Sequence, residues 1–186
     1  DPRRTRLAEL AHLHLPIRVG SDVALLLAMA HVIVREGLTD QEFIADRCAD
    51  YEAFETHLKE FDPAWASEIC EVPASDIEQA ALWYGAAKLG AIYYTLGITE
   101  HICGVDNVQS LCNLALLTGN LGKVGTGINP MRGQNNIQGA GDCGAVPNNY
   151  PGFQPVIDPK FHEKFKTAYQ QPEMDLGNSM TKVTAL

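Results

Sequence analysis

Apolar and polar positions divide the chain into short elements. Residues 5–11 carry a brief helical pattern, whereas residues 12–18, His-Leu-His-Leu-Pro-Ile-Arg, alternate with period two. That alternation predicts a strand, and Pro16 favours a sheet edge because it lacks a ladder N–H. Val19-Gly20-Ser21-Asp22 supplies a turn and a helix N-cap. The helix predicted over 23–35 is apolar nearly all round, which implies burial on every side, and Gly37 stops it. Thr39-Asp40 caps a helix to Arg47; residues 51–61 and 63–70 read as two more. A further helix over about 72–88 aligns Ile77, Ala80, Ala81 and Tyr84 on one face.

Residues 89–96, Leu-Gly-Ala-Ile-Tyr-Tyr-Thr-Leu, form a β-prone run apolar on both faces, the mark of a buried parallel strand. A helix follows from about 104 to 117, and another over 158–170 with Phe161, Phe165 and Ala168 inward. Strand–helix alternation around a helical section (39–88) predicts an α/β domain with a mostly parallel sheet. Ligands of such sheets sit beyond the carboxyl ends of strands. Three segments qualify: Asp1-Pro2-Arg3, residues 96–101, and the stretch around Arg132.

Residues 125–144 are rich in glycine and amides, with Asn129, Asn135, Asn136, Gln134 and Gln138 around the single guanidinium of Arg132. Glycine lets backbone approach a ligand closely, and amides offer donor and acceptor together, suiting heteroaromatic ring edges. Structureless loops beyond about 12–15 residues are seldom mere connectors. Arg132 has no sequence-near carboxylate before Asp142, so its planar fork is available to a small anion. A surface salt bridge is the plainer alternative.

Other candidates carry two readings each. Asp1 suits a ribose or base edge, or it caps the first helix; Asp22 suits the two N–H groups of a guanine, or it is the first-turn acid of its helix. His101 is either a proton carrier or a histidine with a structural hydrogen bond. The remaining histidines show no metal spacing beyond the His12/His14 pair and read as structural.

The net charge of −9 argues against a nucleic-acid partner, which requires clustered Lys and Arg. No apolar run reaches the length of a membrane span. The five cysteines (Cys48, Cys70, Cys103, Cys112, Cys143) lack C-x-x-C spacing and read as reduced, buried thiols; no metal-ligand set is predicted. The first residue is Asp1 and not Met, and the last residues look unfinished, so the chain reads as an internal fragment.

The runs Tyr94-Thr-Leu-Gly-Ile-Thr-Glu-His101, Leu117-Thr-Gly-Asn-Leu-Gly-Lys123 and Gly127-Ile-Asn-Pro-Met-Arg-Gly-Gln-Asn-Asn-Ile-Gln-Gly139 resemble the catalytic subunit of molybdenum- or tungsten-dependent formate dehydrogenases, bis-molybdopterin guanine dinucleotide oxidoreductases. The opening Asp1-Pro-Arg-Arg-Thr5 and the Gly20-Ser-Asp22 helix start look like further family features. The resemblance covers nearly the whole chain and weakens after about Gln154.

It implies parts of two Rossmann-like, dinucleotide-binding α/β domains: residues 1–133 as the C-terminal part of one, and 134–186 as the start of the returning segment of a second. It implies that Arg132 orients formate, and that Gly133 and Gln134 lie against the pterin near the metal. Leu96, Gly97 and Glu100 match a pterin-touching segment, Glu100 standing where some members have Gln. Asp1, Arg3 and Asp22 would meet the guanosine end of one cofactor. Formate then loses a hydride to the metal centre to give CO2, and electrons leave through a [4Fe-4S] cluster. The recipients would be iron–sulfur electron-transfer subunits linked to NAD, ferredoxin or quinone. The metal-ligating Cys or selenocysteine, its neighbouring His and the cluster cysteines would precede Asp1. The segment is therefore not expected to catalyse alone. A cytoplasmic location is expected, with the periplasm as the alternative.

Three other readings compete. One is oxidoreduction of another small oxyanion in the same superfamily. Another is a non-catalytic homologue, such as the large peripheral subunit of respiratory NADH dehydrogenase. The third, a generic nucleotide-binding module, requires a G-x-G-x-x-G turn directly after a strand, and no predicted strand is followed by one.

Overall fold

A computed structural model describes residues 1–173. It divides into two compact units, Asp1–Met131 and a second beginning at Arg132.

The first unit runs α1 (Arg6–Leu10), α2 (Asp22–Arg35), α3 (Gln41–Arg47), α4 (Tyr51–Leu58), α5 (Pro63–Cys70), α6 (Ala74–Ala86), β1 (Ala91–Tyr94), α7 (Leu96–Thr99), α8 (Gly104–Leu117) and β2 (Gly127–Pro130). Helix α2 is its axis, packed by α4, α5, α6 and α8. This explains its uninterrupted apolar pattern. Leu26, Ala30 and Ile33 enter a core with Leu58, Leu111, Leu114 and Leu117. Ala24 and Ala28 enter a second core with Ala66, Cys70, Val72 and Ile77. Ala28, Val32 and Ile33 are wholly buried.

Capping follows the expected chemistry in part. Asp40 Oδ1 accepts from Phe43 N at 3.0 Å, and Asp62 Oδ1 accepts from Trp65 N at 2.8 Å ahead of Pro63. Ser21 occupies the N-cap position of α2 without capping it: its hydroxyl turns back and donates to Arg18 O at 2.6 Å.

Strands β1 and β2 pair in parallel, Ala91 opposite Gly127 through Tyr94 opposite Pro130. With α7 and α8 as crossover they form a βαβ unit. Ile92 and Tyr94 pack on the first core, while Tyr93 on the other face is 69% exposed. The expected burial on both faces is therefore not met, because β2 is the sole strand paired with β1 among the described residues. Residues 13–18 are a second correction. They lie extended without a ladder; Arg18 N donates to Cys70 O at 2.9 Å, and Ile17 alone is buried. Alternation there reports which side chains face the core, and no partner strand is present for pairing.

The second unit holds α9 (Ile137–Asp142), β3 (Asn149–Tyr150), β4 (Gln154–Pro155), a 3₁₀ turn at Pro159–Phe161 and α10 (His162–Tyr169). Tyr150 stacks on Phe165 with ring centroids 4.1 Å apart. Ala168, expected inward, is exposed, since the cover that Tyr150 provides reaches Phe165 one turn earlier. The stretch 125–144 is not structureless: β2 and α9 occupy part of it. The spacing Gly139-Ala-Gly141-Asp-Cys-Gly144 falls on α9 and its end, not between a strand and a helix. Gly139 is needed there, because a Cβ would lie 2.5 Å from Asn136 Oδ1.

Candidate functional site

The first unit contains a cavity of about 400 Å³ whose walls include Asp1, His14 and Asp22 among apolar Leu15, Leu25 and Ile98. Two of the sequence candidates, Asp1 and Asp22, thus share one hollow. Asp1 is folded into it by its neighbours: Arg3 N donates to Asp1 Oδ1 at 2.8 Å, and His14 Nε2 donates to Asp1 O at 2.7 Å. His14, read from sequence as structural, is therefore a wall residue; its spacing gave no hint of this.

Asp22 opens α2, where the helix N-terminus favours a carboxylate. Its side chain is only 15% exposed, and the His101 Nε2 atom lies 4.0 Å from its Oδ2. No hydrogen bond to this carboxylate exists among the described residues. A carboxylate so enclosed and so poorly supplied with donors calls for N–H groups from elsewhere.

Helix α7 lies next to this wall through Ile98. Its carbonyls are held one by one from the segment that follows. His101 Nε2 donates to Gly97 O at 2.8 Å, and the buried Asn107 donates through Nδ2 to Ile98 O at 2.8 Å. Thr99 O approaches Gly104 so closely that a Cβ at residue 104 would lie 2.1 Å from it. Leu96 and Gly97 are meanwhile exposed, and a Cβ on Gly97 would meet nothing within 4 Å. Open space over exposed backbone can admit a ligand. Glu100, the residue closing α7, is exposed and does not line the cavity; Arg3 is exposed as well.

Arg132, Gly133 and Gln134 begin the second unit and are exposed. The Arg132 guanidinium has no carboxylate within ion-pair distance among the described residues, Asp142 included. The surface salt bridge weighed from sequence is thus not formed there.

Among the described residues no group of three or more His, Cys, Asp or Glu is arranged to hold a metal, and no helix is long and apolar enough to cross a membrane. All five cysteines are free. Cys70 is buried as expected, and burial pushes its thiol pKa up. Cys143 is exposed instead, on the end of α9.

Residues 1–183 match the family model described as molybdopterin oxidoreductase. The chain belongs to the molybdopterin oxidoreductase family. Among its relatives in that family, it is 48% identical over 169 residues to F420-dependent formate dehydrogenase 1 subunit alpha of Methanococcus maripaludis, covering 91% of this chain and 25% of that protein. It is 47% identical over 169 residues to formate dehydrogenase H of Escherichia coli, covering 91% of this chain and 24% of that protein. The solved structure of acetylene hydratase from Pelobacter acetylenicus matches with a TM-score of 0.65 at 30% identity, over 67% of this chain and 17% of that one. The chain spans about a quarter of the length of the formate dehydrogenases it matches. A molybdopterin-type cofactor carrying molybdenum or tungsten goes with the family. The Asp22 carboxylate on the cavity wall and the open backbone at Gly97 fit such a group. One offers acceptors to an N–H-bearing ring edge, and the other offers space for close approach.

Proposed function

We propose that this chain is a segment of the catalytic subunit of a formate dehydrogenase that interconverts formate and CO2 at a bis-molybdopterin guanine dinucleotide centre. The observation that carries the reading is the 47–48% identity to formate dehydrogenase subunits over 91% of the chain, against 30% to acetylene hydratase. Residues 1–133 belong, in this reading, to one cofactor-binding α/β domain, and 134–186 start the returning segment of a second.

Asp22 accepts the two N–H groups of the guanine, in keeping with its enclosed and donor-poor carboxylate. Asp1 accepts from the ribose on the same wall, and Arg3 stands at the same guanosine end. Leu96, Gly97 and Glu100 border the pterin, with Gly133 and Gln134 on its metal side. When bound, the cofactor supplies a metal able to accept the electron pair of the formate C–H bond. Arg132 holds both oxygens of formate in its fork, which leaves the C–H bond pointing away from the guanidinium. Because CO2 is neutral, it loses this attraction once formed, and product leaves readily. Oxidation of formate to CO2 releases one proton and two electrons, and a [4Fe-4S] cluster outside this segment would carry the electrons on to partner subunits.

Arg132→Lys in the full-length enzyme tests this reading. Lysine keeps the charge and loses the two-point grip, so kcat/KM for formate is expected to fall about a hundredfold with pterin and metal content unchanged. Turnover equal to that of the parent would overturn the role of Arg132.

A further inference from the structure

A second hollow of the first unit stands apart from the cofactor candidates. Helices α3, α4 and α8 enclose about 170 Å³ between Ile44, Cys48, Tyr51, Phe54, Asn113 and Leu116. Hollows of roughly 150 Å³ hold a benzene ring, so the space suits one bulky apolar side chain. Its rim is rich in carboxylate. Residues 40–62 hold eight Asp and Glu against two Lys and Arg. Asp46 pairs with Arg47, and Asp40 with Lys123 at 3.6 Å. Asp50 lines the hollow itself, and Glu52 lines a more open one that shares Ile44, Cys48, Asp50 and Tyr51 with it. Glu55 accepts from the Tyr51 hydroxyl at 3.4 Å. Asp50 and Glu52 are exposed, and with Glu55 they have no cation within ion-pair distance among the described residues. Asp50 opens α4 at φ 56° without capping it, which leaves its carboxylate free for a donor from outside.

We propose that this hollow is a docking site for a partner polypeptide that inserts one bulky apolar side chain flanked by Lys or Arg. Anchors seated in a pocket inside a polar rim carry most of the binding energy of many interfaces. The rim selects the occupant by charge. It repels a phosphate-bearing cofactor and an anionic lipid surface alike. It also opposes a second copy docking through the same face, because a two-fold contact would set carboxylates against carboxylates. A basic segment meets the three unpaired carboxylates with complementary charge. Asp1, Asp22 and Gly97 do not line this hollow, so the site is additional to the cofactor reading and does not depend on it.

The test uses the full-length enzyme together with the polypeptides that copurify with it. Benzoylphenylalanine replaces Ala53, on the adjoining hollow, as a photo-cross-linker, and the linked peptide is sequenced by mass spectrometry. The expected peptide comes from another polypeptide and carries an aliphatic or aromatic residue beside Lys or Arg. The dissociation constant of that pair is then measured by dilution at low and high salt. Glu52→Lys with Glu55→Lys is expected to weaken it about tenfold at low salt and less at high salt. Glu52→Gln with Glu55→Gln keeps the side-chain shape and should lie between this variant and the parent. Ala49→Trp places a ring at the mouth of the hollow and should weaken binding at both salt concentrations. Unfolding temperatures close to the parent's show that the variants fold. Links only within the same subunit, to a second copy or to an acidic segment would overturn the proposal. No link at all, or a dissociation constant indifferent to charge reversal, would overturn it equally.

Discussion

Gly104→Ala puts the architecture of the site to a direct test. The added methyl would sit 2.1 Å from the Thr99 carbonyl oxygen, which is backbone and cannot swing aside as a side chain can. Real Cβ atoms do not approach closer than 3.0 Å, so α7 must retreat from α8 by about an ångström. That retreat stretches the Asn107–Ile98 and His101–Gly97 hydrogen bonds, both 2.8 Å at present, beyond useful length. Each is worth about 1 kcal/mol, and the wholly buried Asn107 amide left unpaired adds to the cost, so local destabilisation of about 2–3 kcal/mol follows. Hydrogen exchange in the full-length protein reads this locally. The Glu100 amide, bonded to Leu96 O at 2.9 Å, is expected to exchange roughly 30- to 100-fold faster, while α2 amides keep their protection. Unchanged protection at Glu100 would refute the close Thr99–Gly104 approach and the account of how α7 is held.

Further outcomes follow from the same geometry. Gly97→Ala meets empty space within the chain, so α7 should keep its exchange protection; if backbone approach by the cofactor uses that space, pterin content falls, and unchanged content would count against the assignment. The Tyr84 hydroxyl is buried beside Thr118 and Asn120 without a properly formed hydrogen bond, so Tyr84→Phe should hold or raise the thermal midpoint at neutral pH; a clear drop would mean that the hydroxyl has a partner. Burial raises the Tyr84 pKa above its ordinary 10.0, so the unfolded chain ionises first. Its contribution is complete below pH 10 and is lost as pH climbs through the folded-state pKa. A titration of the midpoint from pH 9 upward should therefore fall less steeply in Tyr84→Phe than in the parent.

Most helices were legible because each carries its own evidence, whereas α7 and α9 fall in segments read as a strand end and a loop. Asp40 announces a helix start by the hydrogen bond that it makes three residues on, and the pattern of residues 23–35 could only suit a helix covered from all sides. Strands were less so. The alternation of residues 12–18 tells which side chains face inward, yet a strand also needs a neighbour, and none pairs with this segment among the described residues. Ala168 failed for a related reason: helical spacing names a face, while the length of that face that is covered depends on what packs there.

The chain's own residues determined the order of the helices other than α7 and α9, the β1 segment, the acidic balance and the glycine- and amide-rich surroundings of Arg132, since these depend on contacts between near neighbours or on composition. Tertiary structure decided that Asp1 and Asp22 share a cavity wall, that His14 joins them, and that His101 and Gly104 hold α7 in place. Those relations run through carbonyl oxygens and empty volume, which every residue type supplies alike. No pattern of side chains could have written them into the sequence in readable form.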